Sequence, residues 1–186
     1  MPRTAVTPTS RADTLGRVTI HDTHPFAASQ PRRPLRRFRG RLPAPVTIWA
    51  TRGAAGPTGL TVSSMVVADG EPGEVVGLID PASELFQDLL DRRRWAVSLL
   101  SYGDRQLADA MAGLAPAPGG PFKLAGWRDT DWGPVLATSP GWLGARLIDE
   151  PVEAGWSMLV RGVVESIEID EGVAPVAYVR GNYRQL

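Results

Sequence analysis

The chain reads as a mainly β protein with short helices, a β-barrel with α additions rather than a doubly wound sheet. Three observations lead there. Over residues 46–79, short apolar runs alternate with turns rich in glycine and proline, giving strand, turn, strand, turn, strand. After residue 79 only two stretches show helical spacing, and both are short. The last third returns to strand-like runs at 142–148, 157–169 and 176–179.

Taken in order, residues 1–30 are rich in Thr, Ser, Pro and Ala without apolar periodicity. They are expected to form a flexible N-terminal arm ahead of one folded domain over 31–186. Residues 36–42 suit a short helix that stops before Pro43. Strands follow at 45–51, 59–64 and 75–79, separated by turns at 52–57 and 68–73. Asp80 and Pro81 look like a helix start, Asp as N-cap and Pro at the first helical position. Leu85, Phe86, Leu89 and Leu90 then make one apolar stripe, which residues 91–94 end. A strand is expected at 95–100 and a second helix from about Asp104, with Leu107, Met111 and Leu114 on one face. Residues 115–121 read as a loop.

Composition narrows the chemistry. The 186 residues contain no cysteine, which excludes disulfides, thiolate metal sites and thiol nucleophiles. His21 and His24 are the only histidines, so neither a histidine metal site nor a Ser-His-Asp triad is expected. Net charge is zero, yet residues 1–41 hold nine basic residues against two acids. That arm is expected to be solvated and to pack against the acidic remainder, which holds eleven basic residues and eighteen acids. Nucleic acid is not expected as a partner, since Phe38 alone is interleaved with the arginines. No apolar run approaches the roughly 20 residues that span a bilayer. The start lacks the apolar core of a secretory signal, and a cytoplasmic location is expected.

The segment Thr61-Val62-Ser63-Ser64, preceded by Gly59, is the main candidate site. Hydroxyls that donate and accept, interleaved with backbone N–H groups, suit the edge of a heteroaromatic ring bearing both kinds of partner. Thr and Ser also occur in ordinary solvated strands, so the segment alone decides nothing. The ordered series around it carries more weight. It runs from the strand at 45–51 through Thr61 to Ser64, the strand at 75–79 with Asp80-Pro81-Ala82-Ser83, and the tail Tyr178-Val179-Arg180-Gly181-Asn182-Tyr183.

From about Arg36 to the C-terminus this series resembles the flavin reductase-like family, split β-barrel proteins that hold FMN at a dimer interface. The resemblance implies an FMN-binding split barrel, with FAD as the alternative flavin, NAD(P)H as reductant and a homodimeric assembly. It implies hydride transfer from NAD(P)H to flavin, with a monooxygenase as a possible partner; the alternative is a non-catalytic flavin carrier lacking efficient NAD(P)H use. No protein nucleophile is needed, because the cofactors do the redox chemistry. Cofactor-binding residues implied are Thr61, Val62, Ser63 and Ser64 at the ring and Ala82 and Ser83 at the phosphate; Trp49 is a further candidate, since it lies beside a segment expected to line the site. Trp156 and Ser157 fall on the nicotinamide side, and no metal ligands are implied. Two positions depart from the family pattern. Glu84 stands where a phosphate-binding arginine is usual, and Gly155-Trp156-Ser157 replaces Gly-Asp-His. Arg52, Arg94 or the N-terminal arm are the cations that could replace the missing charge.

Overall fold

The computed structural model describes residues 34–186. The expected arm at 1–30 lies outside the described residues. Helix α1 (Pro34–Arg39) leads into β1 (Ala44–Pro45), β2 (Thr47–Arg52), β3 (Pro57–Val62), β4 (Met65–Ala68) and β5 (Glu74–Ile79). Helix α2 (Glu84–Arg92), β6 (Arg94–Leu99) and α3 (Arg105–Met111) follow. The remainder comprises β7 (Trp127–Thr130), β8 (Gly133–Leu136), β9 (Gly141–Leu147), β10 (Val152–Ala154), β11 (Ser157–Ile169), β12 (Val176–Val179) and β13 (Asn182–Gln185).

Seven strands form one sheet in the order β3-β2-β6-β9-β11-β5-β4, and β10 adds to β11. All of its pairings are antiparallel. The two outermost strands, β3 and β4, are joined through Ser63 and Ser64, so the sheet curls until its ends meet in sequence. Inside the curl lie Trp49, Val62, Val75, Ile79, Trp95, Val97 and Val160. Leu85, Phe86 and Leu89 of α2 join the same cluster. This is the stripe expected from the sequence, and its burial is what fixes α2 against the barrel.

A second cluster covers the other face of β2. Val46, Ile48 and Ala50 pack there against Leu107, Ala108 and Met111 of α3, with Tyr178 and Tyr183 at its margin. Strand β2 is therefore buried on both faces, and residues 46–51 are all inaccessible. Two of its threonines are tied down. Thr47 Oγ1 donates to the Val62 carbonyl at 2.6 Å, and Thr51 Oγ1 to the Arg94 carbonyl at 2.6 Å.

Trp49 and Trp95 stack at the centre, ring centroids 5.4 Å apart and 17° from parallel. Gly77 of β5 lies against the Trp49 ring, leaving no room for a side chain there. The tail forms a hairpin in which Tyr178 faces Tyr183 across β12 and β13, closed by Arg180 and Gly181 at positive φ. Tyr183 donates its hydroxyl proton to Asp109 of α3 at 2.6 Å.

Helix α2 begins three residues later than the sequence suggests. Ser83, with extended backbone, is the N-cap, and its Oγ accepts from the Phe86 amide at 3.2 Å. Asp80 instead closes a tight turn, its Oδ1 accepting from the Ala82 amide at 2.9 Å. Strands β1, β4, β7, β8, β10 and β13 were not expected from the sequence.

Candidate functional site

The hydroxyl-bearing segment is where the barrel changes direction. Val62 points inward, and Met65 also packs on the inner cluster. Two residues separate them, where strict alternation would place one, so the chain kinks at Ser63 and Ser64. Ser64 is held to β5 from both sides: its carbonyl accepts from the Leu78 amide at 3.0 Å, and its Oγ donates to the Leu78 carbonyl at 3.0 Å. Ser63 and Ser64 are half-buried.

Thr61 does different work. Its Oγ1 donates to the Ala108 carbonyl at 2.7 Å, so its proton is committed to α3. Val62 is 2% exposed, with its carbonyl accepting from Thr47. The structure thus divides the four residues. Thr61 and Val62 fasten β3 to its neighbours, while Ser63 and Ser64 stand at the rim of an open surface.

That surface is the outer face of β4, β5 and β11. In β5, Val75, Gly77 and Ile79 are buried while Leu78 is 38% exposed. Across the sheet Val66 faces Val76, and Leu159 lies between Leu78 and Val152. Val66 is 64% and Val152 58% exposed, so the face is apolar and not covered by the described residues. Beside it, Arg161 forms ion pairs with Glu74 at 2.9 Å and Asp149 at 3.3 Å. The hydrogen bond to Glu74, above all, raises the Arg161 guanidinium's pKa.

The same end of β5 gathers the other expected residues. Ile79 pairs with Met158, which puts the turn carrying Trp156 and Ser157 beside the Asp80–Ser83 turn. Gly155 at positive φ shapes that turn, and Trp156 is 84% exposed at its tip. Ala82 is exposed and Ser83 half-buried at the start of α2. Ser63, Ser64, Ala82, Ser83, Trp156 and Ser157 therefore border one surface.

Trp49 does not. It is 0% exposed, with Trp95 stacked on one face and Gly77 against its benzene ring. The expectation that it lies beside a cofactor ring is corrected: β2 is covered on both sides, so its indole is core. Arg52 and Arg94 are also elsewhere. They line a cleft of about 230 Å³ with Arg92, Asp131 and Trp132, at the far end of α2 from Ser83. Arg52 pairs with Asp129 at 2.7 Å and Arg94 with Glu165 at 3.3 Å. Sequence reasoning missed Leu78 and the open face around it, because Val75-Val76-Gly77-Leu78-Ile79 reads as one unbroken apolar run.

Hydroxyls and main-chain groups at Ser63 and Ser64, an adjoining apolar face and the end of a helix suit a flat heteroaromatic group with a polar edge. Among the described residues no group of three or more His, Cys, Asp or Glu is placed to hold a metal ion. None of the described helices is long and apolar enough to cross a membrane.

Three similar solved structures share this fold. The NADH:FAD oxidoreductase SgcE6 of Streptomyces globisporus, in complex with NAD and FAD fragments, superposes with a TM-score of 0.74 at 22% identity, covering 82% of this chain and 90% of that one. The flavin reductase PheA2 in its native state gives 0.75 at 22% identity, over 84% of this chain and 99% of that one. BorF, the flavin reductase component of a bacterial two-component tryptophan halogenase, gives 0.72 at 20% identity, over 82% and 96%. Comparison with curated proteins gives no match. The family model described as flavin reductase like domain matches residues 39–186, and the chain belongs to that family.

Proposed function

We propose that the protein is an NAD(P)H-dependent flavin reductase whose flavin lies on the outer face of β4, β5 and β11. The observation that carries this reading is the kink at Ser63 and Ser64, locked to Leu78 at the margin of an exposed apolar face. Ser63 and Ser64 would hold the ring's polar edge, Leu78 and Val66 its apolar part, and Ala82 and Ser83 its side chain. Thr61 and Val62 act from behind, fixing the end of β3. When bound, the flavin supplies the hydride-accepting ring; the chain's own residues orient it and keep water from its face. Trp156 and Ser157 stand on the nicotinamide side, where an indole offers a flat apolar surface and Ser157 a hydroxyl.

An open face of this kind excludes water only when covered. A second copy of the chain is the natural cover, which makes the working unit a homodimer with flavin between subunits. The similarity to BorF supports a further partner, an oxygenase or halogenase that consumes the reduced flavin.

A second reading follows from Trp156 and Ser157. Neither side chain titrates near neutral pH, and a chain without a group to receive the nicotinamide would carry flavin rather than reduce it. One experiment separates the two. Protein loaded with flavin is mixed anaerobically with NADH or NADPH while the flavin absorption is followed. Bleaching within seconds supports the reductase; binding without bleaching by either nucleotide refutes it and leaves the carrier.

A further inference from the structure

We infer that the site selects among flavins by the charge on the phosphate next to the ribityl chain, preferring riboflavin and FAD over FMN. The inference rests on the placement of flavin just proposed and concerns the side-chain end of that site.

In the placement just proposed, the flavin side chain runs to the Asp80–Ser83 turn and the first turn of α2. A helix start normally welcomes a phosphate through free amides and the positive end of its dipole. Here several of those polar groups are already satisfied from within. The Ala82 amide donates to Asp80 Oδ1 at 2.9 Å and the Ser83 amide to the Asp80 carbonyl at 3.1 Å. Ser83 Oγ donates to the Asp80 carbonyl at 2.7 Å and accepts from the Phe86 amide at 3.2 Å.

The charge is also of the wrong sign. Asp80 and Glu84 are both exposed, and Glu84 is the first residue of α2. Among the described residues neither carboxylate is ion-paired. The arginines nearest in sequence, Arg92, Arg93 and Arg94, lie at the other end of α2, a helix of nine residues and therefore about 13 Å long.

Like charges about 6 Å apart in water weaken binding roughly threefold per unit charge. FMN carries nearly two charges on its terminal phosphate; FAD carries one on the equivalent diester and a second on the phosphate beyond it, farther from the carboxylates; riboflavin carries none. The order is therefore riboflavin, then FAD, then FMN, with FMN roughly five- to tenfold weaker than riboflavin after the helix dipole's partial offset.

The test measures dissociation constants of riboflavin, FAD and FMN for the full chain by flavin fluorescence and calorimetry, at low and high salt. The same is done for Glu84→Gln and Glu84→Arg. Expected results are the stated order, a gap that narrows with salt, and FMN affinity rising severalfold in Glu84→Gln and further in Glu84→Arg while riboflavin affinity is unchanged. If the three flavins bind equally, if FMN binds best, or if Glu84→Arg leaves the ratios alone, the selectivity is overturned and the flavin reading stands. If none of the three binds, the flavin reading fails and this inference fails with it.

Discussion

Gly77 and Trp49 give the most direct test of how the barrel is packed. A Cβ built on Gly77 would sit 2.6 Å from Trp49 Cη2 and 2.7 Å from Cζ2. The indole has nowhere to retreat, because it is 0% exposed and stacked on Trp95. Gly77→Ala should therefore behave as an overpacked core, costing about 1–3 kcal/mol. For a domain of this size that lowers the melting temperature by roughly 3–10 °C. Trp49→Phe shortens the ring on the side that meets Gly77 and costs about 1–3 kcal/mol in lost packing. Part of that loss is offset, since Trp49 Nε1 is a buried donor with no partner among the described residues. In the double variant the alanine methyl occupies the space that phenylalanine vacates. Its loss should be at least about 1 kcal/mol smaller than the two single losses together. Urea and thermal unfolding, followed by far-ultraviolet circular dichroism, measure all four proteins. Strict additivity would refute the contact, and loss of flavin binding in an otherwise stable Trp49→Phe protein would return Trp49 to the ligand site.

Two further changes probe the strand and tail contacts. Thr47→Val removes a buried hydroxyl that donates to the Val62 carbonyl, and should cost about 1–3 kcal/mol in denaturant unfolding, with flavin affinity reduced as the end of β3 loosens. Tyr183→Phe tests pH dependence. Burial, and then the hydrogen bond to Asp109, push the Tyr183 phenol above its usual range. The folded state therefore favours the neutral phenol. Its contribution is complete below about pH 10, where a tyrosine in the unfolded chain ionises, and is lost as pH rises above that. Tyr183→Phe should lower stability by about 1 kcal/mol at neutral pH and flatten the alkaline decline; an unchanged alkaline limb would remove Tyr183 as its cause.

The barrel's long elements were legible because burial imposes a pattern on sequence. The stripe of Leu85, Phe86 and Leu89 marked α2, and β6, β9 and β11 fell within a residue of the runs that suggested them. The short strands β7 and β13 were not legible, since half of Trp127–Thr130 and most of Asn182–Gln185 is exposed and both owe their extended form to the strands they pair with. Strand β2 hid the environment of Trp49 for a different reason. Covered on both faces, it shows no alternation from which an inward side could be told. The start of α2 was misread because Asp80-Pro81 and Ser83 both satisfy cap chemistry, and only the folded turn shows which oxygen meets the helix amides. Of the candidate site, the hydroxyl segment was visible and its division between Thr61 and Ser64 was not.

Strand β5 alternates between two masters: Val75, Gly77 and Ile79 answer to the barrel, Val76 and Leu78 to whatever lies outside it. Adaptation to a new ring system can therefore proceed through the even-numbered positions without disturbing the interior. A catalyst built this way can change its client while keeping its skeleton, and a library randomised at Val66, Val76, Leu78 and Leu159 would sample new ligands from proteins that still fold.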